Sequence, residues 1–214
     1  QPVPGVQHRI DRDQAALRSL GIHGGEKAPS LRLTGEDESR ADQLLDRLGI
    51  RRDRLIAIIQ PGARYWFKAW PYERFAELAD RLASDYGCQV LIGGSREEEA
   101  LAQRIHEAAK SHPISIAGQA TLKQFAAIAK RAALFVGNDS GAMHIAAAVG
   151  TPMVALFGPS NPEEWGPRGG PAEVIYKGLD CRACFHPTCM RGEENCMKQI
   201  DPVEVLARIH RFIS

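Results

Sequence analysis

The run Leu134-Phe-Val-Gly-Asn-Asp-Ser-Gly141, continuing into Ala142-Met-His-Ile-Ala-Ala-Ala-Val-Gly150, has the residue types of an anion-binding turn. An apolar β-type stretch stops at small and polar residues, and a strong helix former follows at once. Ser140 or Asp139 can cap the new helix, and Gly141 lets a ligand come close to the backbone. Such a helix start offers free N–H groups and the positive end of the peptide dipoles, which suits a phosphate. The same residues also describe an ordinary strand-to-helix turn that binds nothing. The loops around it decide between the two.

Hydrophobic periodicity predicts which loops those are. Apolar runs at 55–59, 89–92, 114–116, 134–136 and 153–157 read as strands. Between them, helical spacing predicts helices at 72–86, 97–109, 122–131 and 142–149, and Asp201-Pro202 opens a closing helix over 203–212. Strands alternating with helices over short connections imply an α/β, Rossmann-like, doubly wound and mainly parallel sheet. Ligands of such sheets bind beyond the carboxyl ends of the strands. That rim receives Gln60-Pro-Gly-Ala-Arg-Tyr-Trp-Phe-Lys-Ala-Trp-Pro71, Gly93-Gly-Ser-Arg-Glu97, Ala117-Gly-Gln-Ala-Thr121, Asn138-Asp-Ser-Gly141 and Phe157-Gly-Pro-Ser-Asn-Pro162. Taken singly, Lys68 reads as a solvated surface lysine and Glu97 as an acid answering a helix dipole. As a rim residue, Asp139 is expected to carry little core packing.

The stretch 1–50 differs. It reads as two short helices, over 11–20 and 37–48, and resembles connecting helices rather than a self-sufficient domain; residues 51–214 form the α/β domain. The chain opens at Gln1 rather than Met, as expected of a piece of something longer. A hydrophobic fraction of 44% and a charged fraction of 25% fit an ordinary soluble globular protein. The formal net charge of +1 argues against a nucleic-acid partner. No apolar run approaches the roughly 18 residues of a membrane span, and no signal peptide is visible, so a cytoplasmic location is expected.

Cys181, Cys184, Cys189 and Cys196 cluster with His186 in one loop-rich stretch. Their spacing allows a structural zinc site, although the second pair is not a C-x-x-C; packed free thiols and one or two disulfides are the other readings. Cys88, at the start of a strand, is expected in the core.

Five motifs in order carry a resemblance: Gln60-Pro-Gly-Ala with Lys68-Ala-Trp-Pro71, Gly93-Gly-Ser-Arg-Glu97, Asn138-Asp-Ser-Gly141, His144, and Phe157-Gly-Pro159. From about Leu55 onward the chain is similar to the carboxyl-terminal half of the bacterial lipopolysaccharide heptosyltransferases, glycosyltransferase family nine, which have the two-domain GT-B architecture. The resemblance implies an inverting transfer of heptose from ADP-heptose to the lipopolysaccharide inner core, with no cofactor required and with peripheral contact to the inner membrane. It implies that Asp139, Ser140 and Gly141, next to Asn138, hold the diphosphate or adjacent sugar, and that His144 faces the same ligand. Lys68 would neutralise the departing diphosphate, Glu97 would accept from ribose hydroxyls, and Ala63 and Arg64 would approach the phosphates. Many relatives have His where Gln60 stands, so no role of that His transfers. The family's general base belongs to an amino-terminal domain that this sequence does not include, so the chain alone is expected to bind donor without turnover.

Three alternatives remain at this stage. One is a transferase using another nucleotide-sugar for capsule or glycan assembly, and another is a non-catalytic module stapled by metal. A dinucleotide-dependent oxidoreductase is the third, and it is disfavoured because no G-x-G-x-x-G follows the first strand.

Overall fold

The computed structural model describes residues 7–23, 25, 28–179, 181 and 189–213. Six strands make one all-parallel sheet: β1 (Ile56–Gln60), β2 (Gln89–Ile92), β3 (Ile114–Ser115), β4 (Leu134–Asn138), β5 (Met153–Phe157) and β6 (Ala172–Tyr176). Their spatial order is β3-β2-β1-β4-β5-β6. The chain winds outward from β1 to β3, crosses back to lay β4 beside β1, and winds outward again. Strand order therefore reverses between β1 and β4, where Ile58 pairs with Phe135 and Gln60 with Gly137. Every residue of β1, β4 and β5 is buried, because helices cover both faces.

One face carries α3 (Tyr72–Tyr86), α4 (Glu99–Ala108) and α8 (Pro202–Ile209). Phe75, Leu78, Ala79 and Leu82 recur at helical spacing along α3 and pack on Ile59, Ile92 and Val136. Gly87 ends α3 in the left-handed region at φ +65°, and its N–H donates back to the Leu82 carbonyl. The other face carries α2 (Gly35–Arg47), α5 (Leu122–Arg131) and α6 (Gly141–Ala148) over Ile58, Leu91, Phe135 and Phe157. Thr121 and Gln124 close a reciprocal capping box at the start of α5.

The two amino-terminal helices differ from each other. In α2, Ala41, Leu44 and Leu45 are buried in the second core, and Lys123, Lys130 and Arg131 of α5 pair with Asp37, Glu38 and Asp42. Part of the stretch read as connection is thus a working layer of the α/β unit. By contrast α1 (Arg9–Ser19) buries no residue. It is fastened beside α7 (Pro162–Trp165) by His8, whose Nε2 lies 2.9 Å from the Gly166 carbonyl, and by the Arg12–Glu164 and Arg168–Asp11 ion pairs. Among the described residues, no helix is long and apolar enough to cross a membrane.

Candidate functional site

The reversal of strand order opens a cleft of about 650 Å³ across the ends of β1, β2 and β4. Gln60, Gly62, Ala63 and Arg64 form one wall, Gly94, Ser95 and Glu98 the second, and Ser140, Gly141, Ala142 and Ile145 the third. Ile116, Leu122 and Phe125 give it an apolar end.

The third wall is the start of α6. Ser140 takes the N-cap position, yet its hydroxyl makes no capping bond. Its Oγ is buried and has no hydrogen-bond partner among the described residues. A buried hydroxyl left unpaired costs about 1–3 kcal/mol, which a hydrogen-bonding partner would relieve. The first N–H groups of the helix have no intrahelical acceptor and point the same way. A Cβ at Gly141 would meet nothing within 4 Å and would project into open space.

The second wall departs from expectation by one residue. The turn Arg96–Glu98 exposes Glu97 and turns Glu98 inward. Glu98 Oε2 accepts the Ser95 N–H at 2.8 Å and the Gln60 side-chain amide at 3.4 Å. A Cβ at Gly62 would overlap that carboxylate, so a larger residue there would push the Glu98 side chain aside. Glu97 lies outside the cleft lining; its own backbone N–H and the Ser95 hydroxyl hold its carboxyl below the usual range. Glu98, not Glu97, is the acid that lines the cleft.

Asn138 is fully buried, and its amide is used within the protein. Its Oδ1 accepts the Trp70 N–H at 3.1 Å and its Nδ2 donates to the Pro61 carbonyl at 2.7 Å. It clamps the loop after β1 to the end of β4 and does not face the cleft. Asp139 is only 8% exposed and accepts from Lys68 Nζ at 2.6 Å, while its N–H donates to the Leu156 carbonyl. The short turn Trp66–Lys68 supplies the lysine, whose side chain is 22% exposed. Asp139 is therefore more than a rim residue: it stores the lysine beside the start of α6.

His144 turns away from the cleft that Ala142 and Ile145 line. It borders a separate cavity of about 220 Å³ with His8, Trp165 and Arg168. Burial pushes the imidazole below its ordinary value; Asp139 opposes that shift, and His8 and Lys68 reinforce it. The neutral ring is thus favoured.

Cys88 is buried in the core as expected. Cys181, Cys189 and Cys196 line one narrow cavity of about 20 Å³, where Arg191 Nε donates to Cys181 Sγ at 3.1 Å. No disulfide joins the described cysteines. Among the described residues, no three His, Cys, Asp or Glu side chains stand close enough to hold a metal ion. These three cysteines alone do not make a zinc site, and Cys184 and His186 lie outside the described residues.

An all-parallel sheet of this order, with a polar cleft at its reversal and an open helix start, defines a Rossmann-like α/β domain. The description glycosyltransferase family 9 (heptosyltransferase) matches residues 2–194, and the chain belongs to that family. Lipopolysaccharide heptosyltransferase 3 of Escherichia coli strain K12 is 32% identical over 169 residues, which cover 78% of this chain and 48% of that protein. The chain thus spans about half the length of this relative. The solved Escherichia coli ADP-heptose lipopolysaccharide heptosyltransferase II superposes with a TM-score of 0.71 at 28% identity, over 86% of this chain and 53% of that one. An Escherichia coli heptosyltransferase solved with ADP gives a TM-score of 0.67 at 22% identity, over 99% of this chain and 58% of that one. The shared fold is that of the GT-B heptosyltransferases.

Proposed function

We propose that this chain is the donor-binding part of a heptosyltransferase, holding ADP-heptose for transfer to a lipopolysaccharide acceptor at the cytoplasmic face of the membrane. The observation that carries the reading is the start of α6: an unpartnered buried hydroxyl on Ser140, at a helix N-terminus open to the cleft. A diphosphate supplies what this site lacks, namely negative charge and acceptor oxygens. The apolar end at Ile116, Leu122 and Phe125 suits a base, and Glu98 suits the ribose hydroxyls between base and phosphates. The structural relative holding ADP supports the same ligand.

In the transfer, an acceptor hydroxyl attacks the anomeric carbon as the bond from that carbon to the diphosphate oxygen breaks. One displacement inverts the anomeric configuration, and the diphosphate departs with the electron pair. In this reading the α6 N–H groups and the Ser140 hydroxyl border the place where that charge grows. Lys68, paired with Asp139, adds positive charge beside the start of α6, and fixed donors there lower the barrier. The acceptor proton needs a base within hydrogen-bond reach, which in this reading comes from a second domain facing the cleft. Residues 51–214, together with α2, then form the donor half.

Calorimetric titration tests the site. ADP should bind more tightly than AMP or UDP. Ser140→Ala should weaken ADP by roughly 2–10-fold, the worth of one hydrogen bond, while leaving the melting temperature unchanged or raised. Equal or undetectable binding of all three nucleotides to folded protein overturns the reading.

A further inference from the structure

A second and larger cavity, about 780 Å³, lies on the other side of the loop that walls the donor cleft. Pro61 lines this groove, whereas its neighbours Gln60 and Gly62 line the cleft. The turn Trp66–Lys68 sends its side chains in two directions. Trp66 and Phe67 line the groove, while Lys68 reaches Asp139 beside α6. A ligand in the groove therefore ends within one short turn of the lysine assigned to the departing phosphate.

The groove walls are aromatic faces set among polar groups. Trp66 is 52% exposed, and Phe67 is braced by Tyr65, stacked at 5.1 Å, and by Trp66, edge-on at 5.8 Å. Arg104 covers one face of Tyr72 at 4.0 Å, which leaves that side chain little freedom to swing. Glu73 and Asn195 add hydrogen-bonding groups to the lining, and Leu101 an apolar patch. Rigid aromatic surface beside a few hydrogen-bonding groups recognises a ligand with alternating C–H and O–H faces, which is a pyranose. Lys198 lines the groove as well as the exposed acid Glu73, so its walls carry both signs of charge, and its concave shape disfavours a flat lipid surface.

We infer that this groove is a saccharide subsite, which holds neutral sugar units of the acceptor glycan against Trp66 and Phe67 while the donor lies across the shared loop. The inference rests on the glycosyl-transfer reading above.

The test is an NMR titration of the chain, whose three tryptophan indoles (Trp66, Trp70 and Trp165) report separately. The probe is a delipidated, dephosphorylated lipopolysaccharide core oligosaccharide, added with ADP present. The Trp66 indole should shift, and the buried Trp70 should move less. Trp66→Ala should weaken the oligosaccharide by roughly tenfold or more, as expected for an aromatic anchor, with ADP affinity unchanged. Glu73→Gln, at an exposed side chain that leaves the fold intact, should weaken it by about threefold. If ADP binds and the oligosaccharide leaves Trp66 unmoved, the groove inference falls and the donor site stands. If phosphatidylglycerol vesicles perturb Trp66 and the oligosaccharide does not, the groove is a membrane contact and the inference is overturned. If neither ADP nor oligosaccharide binds, both readings fall.

Discussion

The Lys68–Asp139 pair shows how a residue proposed for binding can also hold the fold. Asp139 is nearly buried, and its lysine partner sits 2.6 Å away. Asp139→Asn leaves Lys68 without its counter-charge and removes a charge-assisted bond worth about 1–3 kcal/mol at such a part-exposed site. The melting temperature should therefore fall, contrary to what a rim position implies from sequence. A thermal double-mutant cycle with Lys68→Ala should give a coupling of about 0.5–3 kcal/mol; a coupling of zero would mean the pair is idle. His144 carries a pH dependence of defined sign. Its folded value is depressed from 6.5 by burial, so the unfolded chain binds the proton more readily. Its stabilising contribution is complete above pH 6.5 and is lost as the pH falls through the lower folded value. Urea denaturation of wild type and His144→Gln between pH 8 and about 5 should show the wild type losing more stability on acidification. Parallel curves would place His144 in solvent.

At the scale of elements, α1 and α2 are both short polar helices before the first strand, yet they differ in role. Leu44 of α2 is buried against α5, whereas Leu17 of α1 is 43% exposed. Leu44→Ala should cost about 2–5 kcal/mol, as for other core truncations. Leu17→Ala should stay within about 0.5 kcal/mol. Equal effects would refute the division between a core helix and a surface helix. The heptad-like spacing of Ala41, Leu44, Leu45 and Leu48 was legible; that its partner is α5 was not, because amphipathicity names a face and never what covers it. β6 was missed for a related reason. It is an edge strand in which only Ile175 is buried, so its sequence Ala-Glu-Val-Ile-Tyr lacks the apolar run that marked β1, β4 and β5.

For the whole molecule, the proposed donor cleft would account for one half of a bimolecular transfer. Positioning two substrates is worth about 7–11 kcal/mol, and a general base contributes roughly 10²–10⁴-fold. Neither is supplied in full by the cleft alone. The 214 residues by themselves should bind ADP and yet release none from ADP-heptose with a heptose-deficient lipopolysaccharide acceptor. Coupled-enzyme detection of ADP checks this. Sustained turnover would place a base within these residues, with Glu98 the first to substitute.

Sequence by itself determined the α/β alternation, the rim on which the ligand loops gather, and the family motifs. Each of these depends on local pattern: apolar period, glycine and capping residues, and order along the chain. Tertiary structure decided which side chains at that rim remain free for chemistry. Asn138 and Ser140 sit two residues apart in one turn, but Asn138 is satisfied by Trp70 and Pro61 from another loop, whereas Ser140 is left without a partner among the described residues. Among the three consecutive acids Glu97, Glu98 and Glu99, only the pitch of one short turn and the bonds from Gln60 and Ser95 select Glu98 for the cleft. The pairing of polar groups is settled by neighbours distant in sequence, and no local pattern encodes which of them will be consumed.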